Sequence, residues 1–310
     1  MGRIVFLNPF AKGEITGGIK TAYRDVELLE ELGFEACVYQ PDGPPSWFET
    51  RAKIITTQTF TGAPDDVLVF PEVLAGSLRE MAQMRTPAEK VLYCQNQYYM
   101  TLNGAAADGY AEMGFRRFAA SSVRAKEFME KVFRLKEVGI IPPYVDRDLF
   151  APQTRKSGIA LVPRKMPREA ALIRNIFQAK YSRLRAISWN AIDNRSERDT
   201  AAALSGSAVC LSLGFLESLG LVPLEAMAAG AIVVGFHGYG GMEYATAENG
   251  IWFPSDHLEE TADALADAIM GIEKGEPRFS AMRDAGFATA ARYGKDQTRT
   301  ALAEFFGSRA

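Results

Sequence analysis

AVCLSLGFLESLGLVPLEAMAAGAIVVGF, Ala208–Phe236, contains a complete strand–helix–strand unit. AVCLSLG is a short apolar run of strand length, and AIVVGF is another, rich in β-branched residues. Between them GLVPLEAMAAG has helical composition. Pro223 suits its first turn, where a missing N–H would have had no partner, and Gly230 stops it. Two strands joined through one helix run parallel, and a parallel sheet is covered by helices on both faces.

The same alternation extends in both directions. Upstream lie GIALVPRK as a strand (158–165), REAALIRNIFQAK as a helix (168–180), LRAISWN as a strand (184–190) and SERDTAAALSGS as a helix (196–207). Downstream, helical spacing recurs in LEETADALADAIMGIEKG (258–275) and KDQTRTALAEFFGSRA (295–310). PPYVDRDLFAPQTRKSG, Pro142–Gly158, has neither period and reads as an interdomain linker. Before it, RIVFLNPF, EACVYQ, KIITTQ, DVLVFPE, KVLYCQN, RFAASS and EVGIIP form a unit of six or seven strands, with TAYRDVELLEELG as the first helix. The predicted class is α/β with two Rossmann-like domains. The first covers residues 1–150 and is joined by 293–310; the second covers 151–292.

At 310 residues the chain is too long for one ordinary core and suits two of roughly 150 residues. Hydrophobic residues at 47% and charged residues at 24% match globular composition rather than a disordered or fibrous one. A formal charge of −3 supplies no field to draw nucleic acid, so small-molecule partners are expected. Cys37, Cys94 and Cys210 are odd in number and lie in or beside apolar strands, which reads as buried thiols in a reducing compartment. MGRIVFL is too short for a signal peptide, and no apolar run spans a bilayer, so a cytoplasmic location is expected.

In open parallel sheets ligands sit outside the carboxyl ends of the strands. The segment after AVCLSLG is therefore informative: Glu217, then Ser218-Leu219-Gly220-Leu221, then Pro223 and Glu225 at a helix start. A helix N-terminus presents free N–H groups and a partial positive charge, an anion site suited to a diphosphate. Gly220 lets a ligand approach the backbone. Glu225, one turn inside, can accept two hydrogen bonds from a vicinal diol, and Glu217 can do the same for a sugar. Acids also favour helix starts for purely structural reasons, which weighs more on Glu225 alone than on the whole stretch.

The run Glu217–Glu225 has the E-x7-E spacing of retaining GT-B glycosyltransferases, and with LEAMAAGAIVVGF it resembles glycosyltransferase family 4 (group 1). IPPYVDRDLF (141–150) resembles that family's interdomain segment, with Pro143 and Tyr144 replacing its Asn and Gly. GGMEYATAENGIWFPSDHLEETADAL (240–265) resembles its following loop, strand and helix, and GGIKTAYRDVELLEELGFEACVY resembles its N-terminal glycine loop and first helix. The resemblance implies two domains facing across a cleft, with the C-terminal helix packing back on the first. It implies a metal-independent enzyme (EC 2.4) without cofactor, moving a sugar from a nucleotide-sugar donor to a glycan or lipid-linked acceptor with retention of configuration. Glu217, Arg164 and Arg168 are implied as the catalytic set. Glu225, Ser218, Leu219, Gly220, Leu221, Gly17, Gly18 and Lys165 are implied to bind donor. The family's His in the first domain is missing; Gln95 and Asn96 stand near its place as acceptor-side candidates, while the two histidines present, His237 and His257, fall in the second domain.

Rival readings are weaker. A nicotinamide dehydrogenase would use the acid Asp42, but NPFAKGEITGG lacks G-x-G-x-x-G spacing. A catalytically silent nucleotide- or glycan-binding protein and a sugar-nucleotide epimerase remain as alternatives on the same fold. Residues 115–136 interleave Arg116, Arg117, Arg124, Lys126, Lys131 and Arg134 with Phe115, Phe118, Phe128, Met129 and Phe133. That pattern reads first as an ordinary surface helix, with Glu127, Glu130 and Glu137 offsetting part of the charge, and peripheral contact with the inner face of a membrane is the alternative.

Overall fold

The computed structural model describes residues 2–307 apart from positions 9, 59, 61, 75 and 155. Position 9 of the predicted first strand, position 155 of the predicted linker and the last three positions of the predicted final helix thus lie outside the described residues. The chain divides into two compact units, 1–144 with 296–310, and 145–295. The first boundary falls at Tyr144/Val145, six residues before the predicted one. Val145 and Phe150 explain the shift, because both are buried in the core of the second unit.

In the first unit the elements are β1 (Ile4–Leu7), α1 (Gly17–Glu31), β2 (Ala36–Tyr39), β3 (Ile54–Ile55), β4 (Val67–Pro71), α2 (Ser77–Gln83), β5 (Glu89–Cys94), α3 (Gln97–Met100), α4 (Gly109–Glu112), β6 (Phe115–Ala120), α5 (Val123–Val132) and β7 (Gly139–Ile140). The second holds β8 (Ile159–Leu161), α6 (Pro167–Lys180), β9 (Trp189–Ala191), α7 (Glu197–Gly206), β10 (Val209–Gly214), α8 (Leu221–Ala228), β11 (Ile232–His237), α9 (Gly238–Gly241), β12 (Ile251–Phe253), α10 (Leu258–Glu273) and α11 (Pro277–Ala291). A last helix, α12 (Lys295–Gly307), belongs to the first unit from Asp296 onward.

Among the described residues seven strands form one sheet, ordered β3-β2-β1-β4-β5-β6-β7, and five form the other, ordered β12-β11-β10-β8-β9. Every strand pair is parallel. Each sheet is therefore wound in both directions from one internal point: between β1 and β4 in the first, between β8 and β10 in the second. At such a point the loops leaving two neighbouring strands diverge to opposite faces and open a crevice. Alternate strand residues face opposite cores. Val5 and Leu7 enter one apolar cluster while Ile4 and Phe6 enter the other with Ile19, Tyr23 and Val26 of α1.

α12 closes the first unit. Leu302 and Phe306 are buried with Phe6, and Arg117 stacks over the Phe305 ring at 4.3 Å while donating to the Phe305 carbonyl. Arg117 also pairs with Glu89 at 3.3 Å. This revises the picture of residues 115–136 as an amphipathic face. Phe115 and Phe118 lie on β6, and with Met129 and Phe133 they are buried in the core, because β6 is an internal strand and α5 turns its apolar side onto it. What α5 leaves outside is Val123, Val132 and the helical ion pairs Lys126–Glu130 and Lys131–Glu127. No helix among the described residues is long and apolar enough to cross a membrane.

One buried group works against this core. Asp25 on α1 is fully buried, and neither carboxyl oxygen has a hydrogen-bond partner among the described residues. The nearby Tyr93 hydroxyl donates instead to the Ile141 carbonyl at 2.8 Å. Burial raises the Asp25 pKa well above the carboxylate range, with Tyr93 opposing only part of the rise. The folded chain thus holds a proton that the unfolded chain releases above about pH 4. This group's contribution to stability is full below that pH and is lost as pH rises toward the folded pKa. Asp25→Asn removes this titration, so the difference in thermal unfolding between the variant and the wild type is expected to move in the variant's favour from pH 4 to pH 8. Equal shifts at both pH values would show that the carboxyl does not titrate this way.

Candidate functional site

The crevice of the second sheet is framed by the loops after β8 and β10. The two strands run in register, Val209 beside Ile159 and Leu211 beside Leu161, so their following loops leave from one edge. After β8 the chain makes a tight turn, Pro163–Lys165, before α6 begins at Pro167. The predicted strand GIALVPRK therefore stops at Leu161, and Arg164 and Lys165 fall in the turn, with Arg168 in the first turn of α6. After β10 comes the loop that carries Glu217.

The structure joins these loops through one contact. The Lys165 ammonium lies 2.8 Å from the Glu217 carboxylate, and each side chain keeps more than a quarter of its surface open to solvent. Arg164 and Arg168 are exposed on the same turn and helix start. Of the three cations suggested by sequence, Lys165 is the one that an ion pair brings to the E-x7-E segment.

α8 begins at Leu221 with Gly220 as its N-cap, in the left-handed region at φ 82°, ψ 86°. No side chain caps this end and no acidic residue lies in the first turn, so the opening N–H groups are left to other partners. Leu213 before it and Ser218 and Leu219 after it are buried, which fixes the loop on both sides of its exposed tip, Phe215 and Leu216. Glu225 is buried on α8. Its charge adds to burial in pushing the Cys210 thiol up to about 12. The loop after β11 braces the segment. A Cβ on Gly240 would lie 2.2 Å from the Ser218 carbonyl oxygen, and the Tyr239 N–H donates to the Phe215 carbonyl at 3.0 Å. The Tyr244 hydroxyl donates to the Gly220 carbonyl at 2.8 Å. This arrangement can hold an anion at the helix start, with a cation and a carboxylate beside it.

The remaining candidates lie elsewhere. His237, at the end of β11, lines an open cavity of about 520 Å³ whose lining includes none of Glu217, Lys165 or Glu225. Gly17 and Gly18 form the first turn of α1, which starts four residues earlier than its apolar spacing suggests because Thr16 caps it by accepting the Ile19 N–H. Gln95 follows β5 and reaches Gly18, its side-chain amide donating to the Gly18 carbonyl at 3.1 Å. Asn96 caps α3 by accepting the Tyr98 N–H. The structure thus brings Gln95 to the glycine turn at the carboxyl edge of the first sheet.

That edge holds a residue that the sequence reading passed over. Glu72 follows β4, is buried, and accepts the Gln95 N–H at 3.1 Å. Burial raises its pKa to about 7 against the N–H groups of Gln95 and Asn96, which lower it. Its signal was visible as an acid directly after DVLVFP, one residue past an apolar strand. Tyr244 and Asn249 were also missed, since neither spacing nor composition shows that a tyrosine two dozen residues downstream returns to Gly220.

Comparison with known proteins places this site in context. Residues 189–288, from β9 into α11, match the family described as glycosyl transferases group 1, a span that includes Glu217 and Glu225 but not Lys165. An alpha-1,6-glucosyltransferase of Actinobacillus pleuropneumoniae serotype 7 (strain AP76) is 26% identical over 237 residues, 74% of this chain and 72% of that protein. Sucrose-phosphate synthase of Thermosynechococcus elongatus superposes with a TM-score of 0.72 at 14% identity, covering 99% of this chain and 98% of that one. HepE of Anabaena, solved in complex with UDP-glucose, gives 0.71 at 11% identity over 99% and 100%. At such identities the structural likeness shows the fold: two Rossmann-like α/β domains of GT-B type. Together the matches support glycosyltransferase function.

Proposed function

We propose that this chain is a retaining, metal-independent glycosyltransferase whose nucleotide-sugar donor binds at the crevice between β8 and β10, and whose acceptor is a hydroxyl of a glycan or lipid-linked glycan. The observation that carries the reading is the Lys165–Glu217 contact at 2.8 Å beside the uncapped start of α8. A carboxylate for sugar hydroxyls, an ammonium for phosphate and free N–H groups for phosphate are gathered at one switch point.

Donor binding exchanges partners. The diphosphate takes Lys165 from Glu217, and the freed carboxylate accepts hydrogen bonds from the transferred sugar. Glu225, one turn inside α8, accepts the ribose hydroxyls. Charge builds on the diphosphate as the glycosidic bond breaks, and Lys165, Arg164, Arg168 and the N–H groups of the turn stabilise it; such preorganised stabilisation is often worth several kcal/mol. The cations supply the charge that a metal ion would otherwise bring. The departing phosphate oxygen takes the acceptor proton on the same face, which keeps the anomeric configuration. Gln95 and Asn96 are the acceptor-side candidates on the first domain, and Glu72 holds their backbone in place.

UDP-glucose is the donor to test first, since a relative is named a glucosyltransferase and a structural neighbour holds that molecule. Titration calorimetry in the presence of EDTA, with a panel of nucleotide sugars, is expected to find at least one that binds. Glu225→Ala is expected to weaken it about 10–100-fold, the loss of one or two charge-assisted hydrogen bonds. The donor site is wrong if no nucleotide sugar binds, or if binding is indifferent to Glu225. Incubating the bound donor with glycan acceptors and weighing the products then distinguishes a transferase from a silent binder.

A further inference from the structure

The Gly220 carbonyl sits at the end of a buried chain of hydrogen bonds. Tyr244 is 1% exposed, and its hydroxyl donates to that carbonyl at 2.8 Å. The Tyr244 backbone carbonyl in turn accepts from the Asn249 amide at 2.6 Å. Asn249, itself 3% exposed, also donates to the Thr289 hydroxyl of α11 at 3.0 Å. Its amide oxygen accepts from the Thr246 N–H at 3.0 Å and from the Trp252 indole at 3.1 Å. Every strong hydrogen-bonding position of this amide is thus filled: one donor holds the Tyr244 carbonyl, and the other three positions tie Asn249 to Thr289, Thr246 and Trp252.

A trans peptide is planar, and its C=O and N–H point in opposite directions. Pulling the Gly220 carbonyl toward the buried Tyr244 hydroxyl therefore turns the Leu221 N–H away from the core. That N–H is the first of α8, at an end with no side-chain cap. Gly220 is free to adopt the required φ of 82° but is not confined to it, because glycine visits many conformations at similar cost. Something else must select this one.

We propose that Tyr244, braced by Asn249, is a positioning residue for the donor diphosphate: it fixes the peptide between Gly220 and Leu221 so that the Leu221 N–H faces the β-phosphate. The inference rests on the donor site proposed above.

The test compares UDP with UMP, which lacks the β-phosphate, by calorimetry on the full chain. Tyr244→Phe keeps the ring and removes the hydroxyl. It is expected to weaken UDP about tenfold, and UMP less than about twofold, the loss of one oriented N–H to a charged oxygen. Thr289→Val unhooks Asn249 from α11 without touching the ring, and it is expected to give the same split at smaller amplitude, which keeps the test available should Tyr244→Phe not fold. Equal losses for UDP and UMP, or no loss for UDP, in a folded variant overturn the positioning role while leaving the donor site intact. Wild type that binds no nucleoside diphosphate overturns the donor site, and this inference with it; where another base is preferred, that base's diphosphate and monophosphate replace UDP and UMP in the same comparison.

Discussion

Gly240→Ala is expected to destabilise the second domain by at least about 3 kcal/mol and to weaken donor binding about 100-fold. The cause is steric and local. The added methyl would lie 2.2 Å from the Ser218 carbonyl oxygen and 2.6 Å from the Leu219 nitrogen, both backbone atoms that no rotamer change can move. Relief requires the loop after β10 to shift by an ångström or more, and that loop carries Glu217 and leads into the Gly220 turn. Gly13→Ala serves as the control, since Gly13 is exposed and a Cβ there meets nothing within 4 Å. Thermal unfolding and nucleotide titration of both variants check the expectation. A Gly240→Ala protein that melts and binds like wild type would mean that the two loops are not packed in this way.

The same glycine shows what the sequence could and could not disclose. Strand, helix and strand were legible in Ala208–Phe236 because each element has its own period and its own stop residue; the observed β10 and α8 lie within those runs, and β11 passes the last of them by one residue, to His237. LRAISWN gave a strand too early, since its first residue closes the Ser182–Leu184 turn and pairing starts only at Trp189. α11 escaped because it buries small residues, Gly286, Thr289 and Ala290, beside the single large Phe279, and so leaves no apolar stripe. The basic aromatic stretch hides its place in the fold for another reason. Its rings alternate with charges as they would on a membrane-facing helix, yet the first of them belong to an internal strand.

Strand order is the part that no local pattern contains. Glu217 could be placed after a strand from sequence, but that β8 lies beside β10, and that Lys165 rather than Arg164 or Arg168 pairs with Glu217, follows from pairing between segments some fifty residues apart. The first sheet repeats the lesson, since Glu72 gains its environment from Gln95 and Asn96 on the neighbouring strand's loop. A carboxylate's identity was readable in each case. Its partner was not.

The Lys165–Glu217 pair should affect turnover far more than stability. Both side chains are part-exposed, so water competes for each, and breaking the pair is expected to change unfolding free energy by less than about 1 kcal/mol. In the proposed reaction each works on a different part of the donor. Glu217→Gln keeps the shape but halves the accepting capacity toward the sugar, and Lys165→Met removes charge from the leaving diphosphate; each is expected to lower kcat about 10²–10³-fold. If they act on one transition state as a unit, the double variant loses little more than the worse single one. Single-turnover rates for the four proteins measure this coupling directly. Losses that multiply in the double variant would separate the two residues into independent roles, and turnover unaffected by either would remove the pair from the chemistry. A third result is informative about the resting state. Should Lys165→Met bind the sugar moiety more tightly while transferring it more slowly, the ion pair in the free protein competes with the donor for Glu217, and its release is part of the donor's binding free energy.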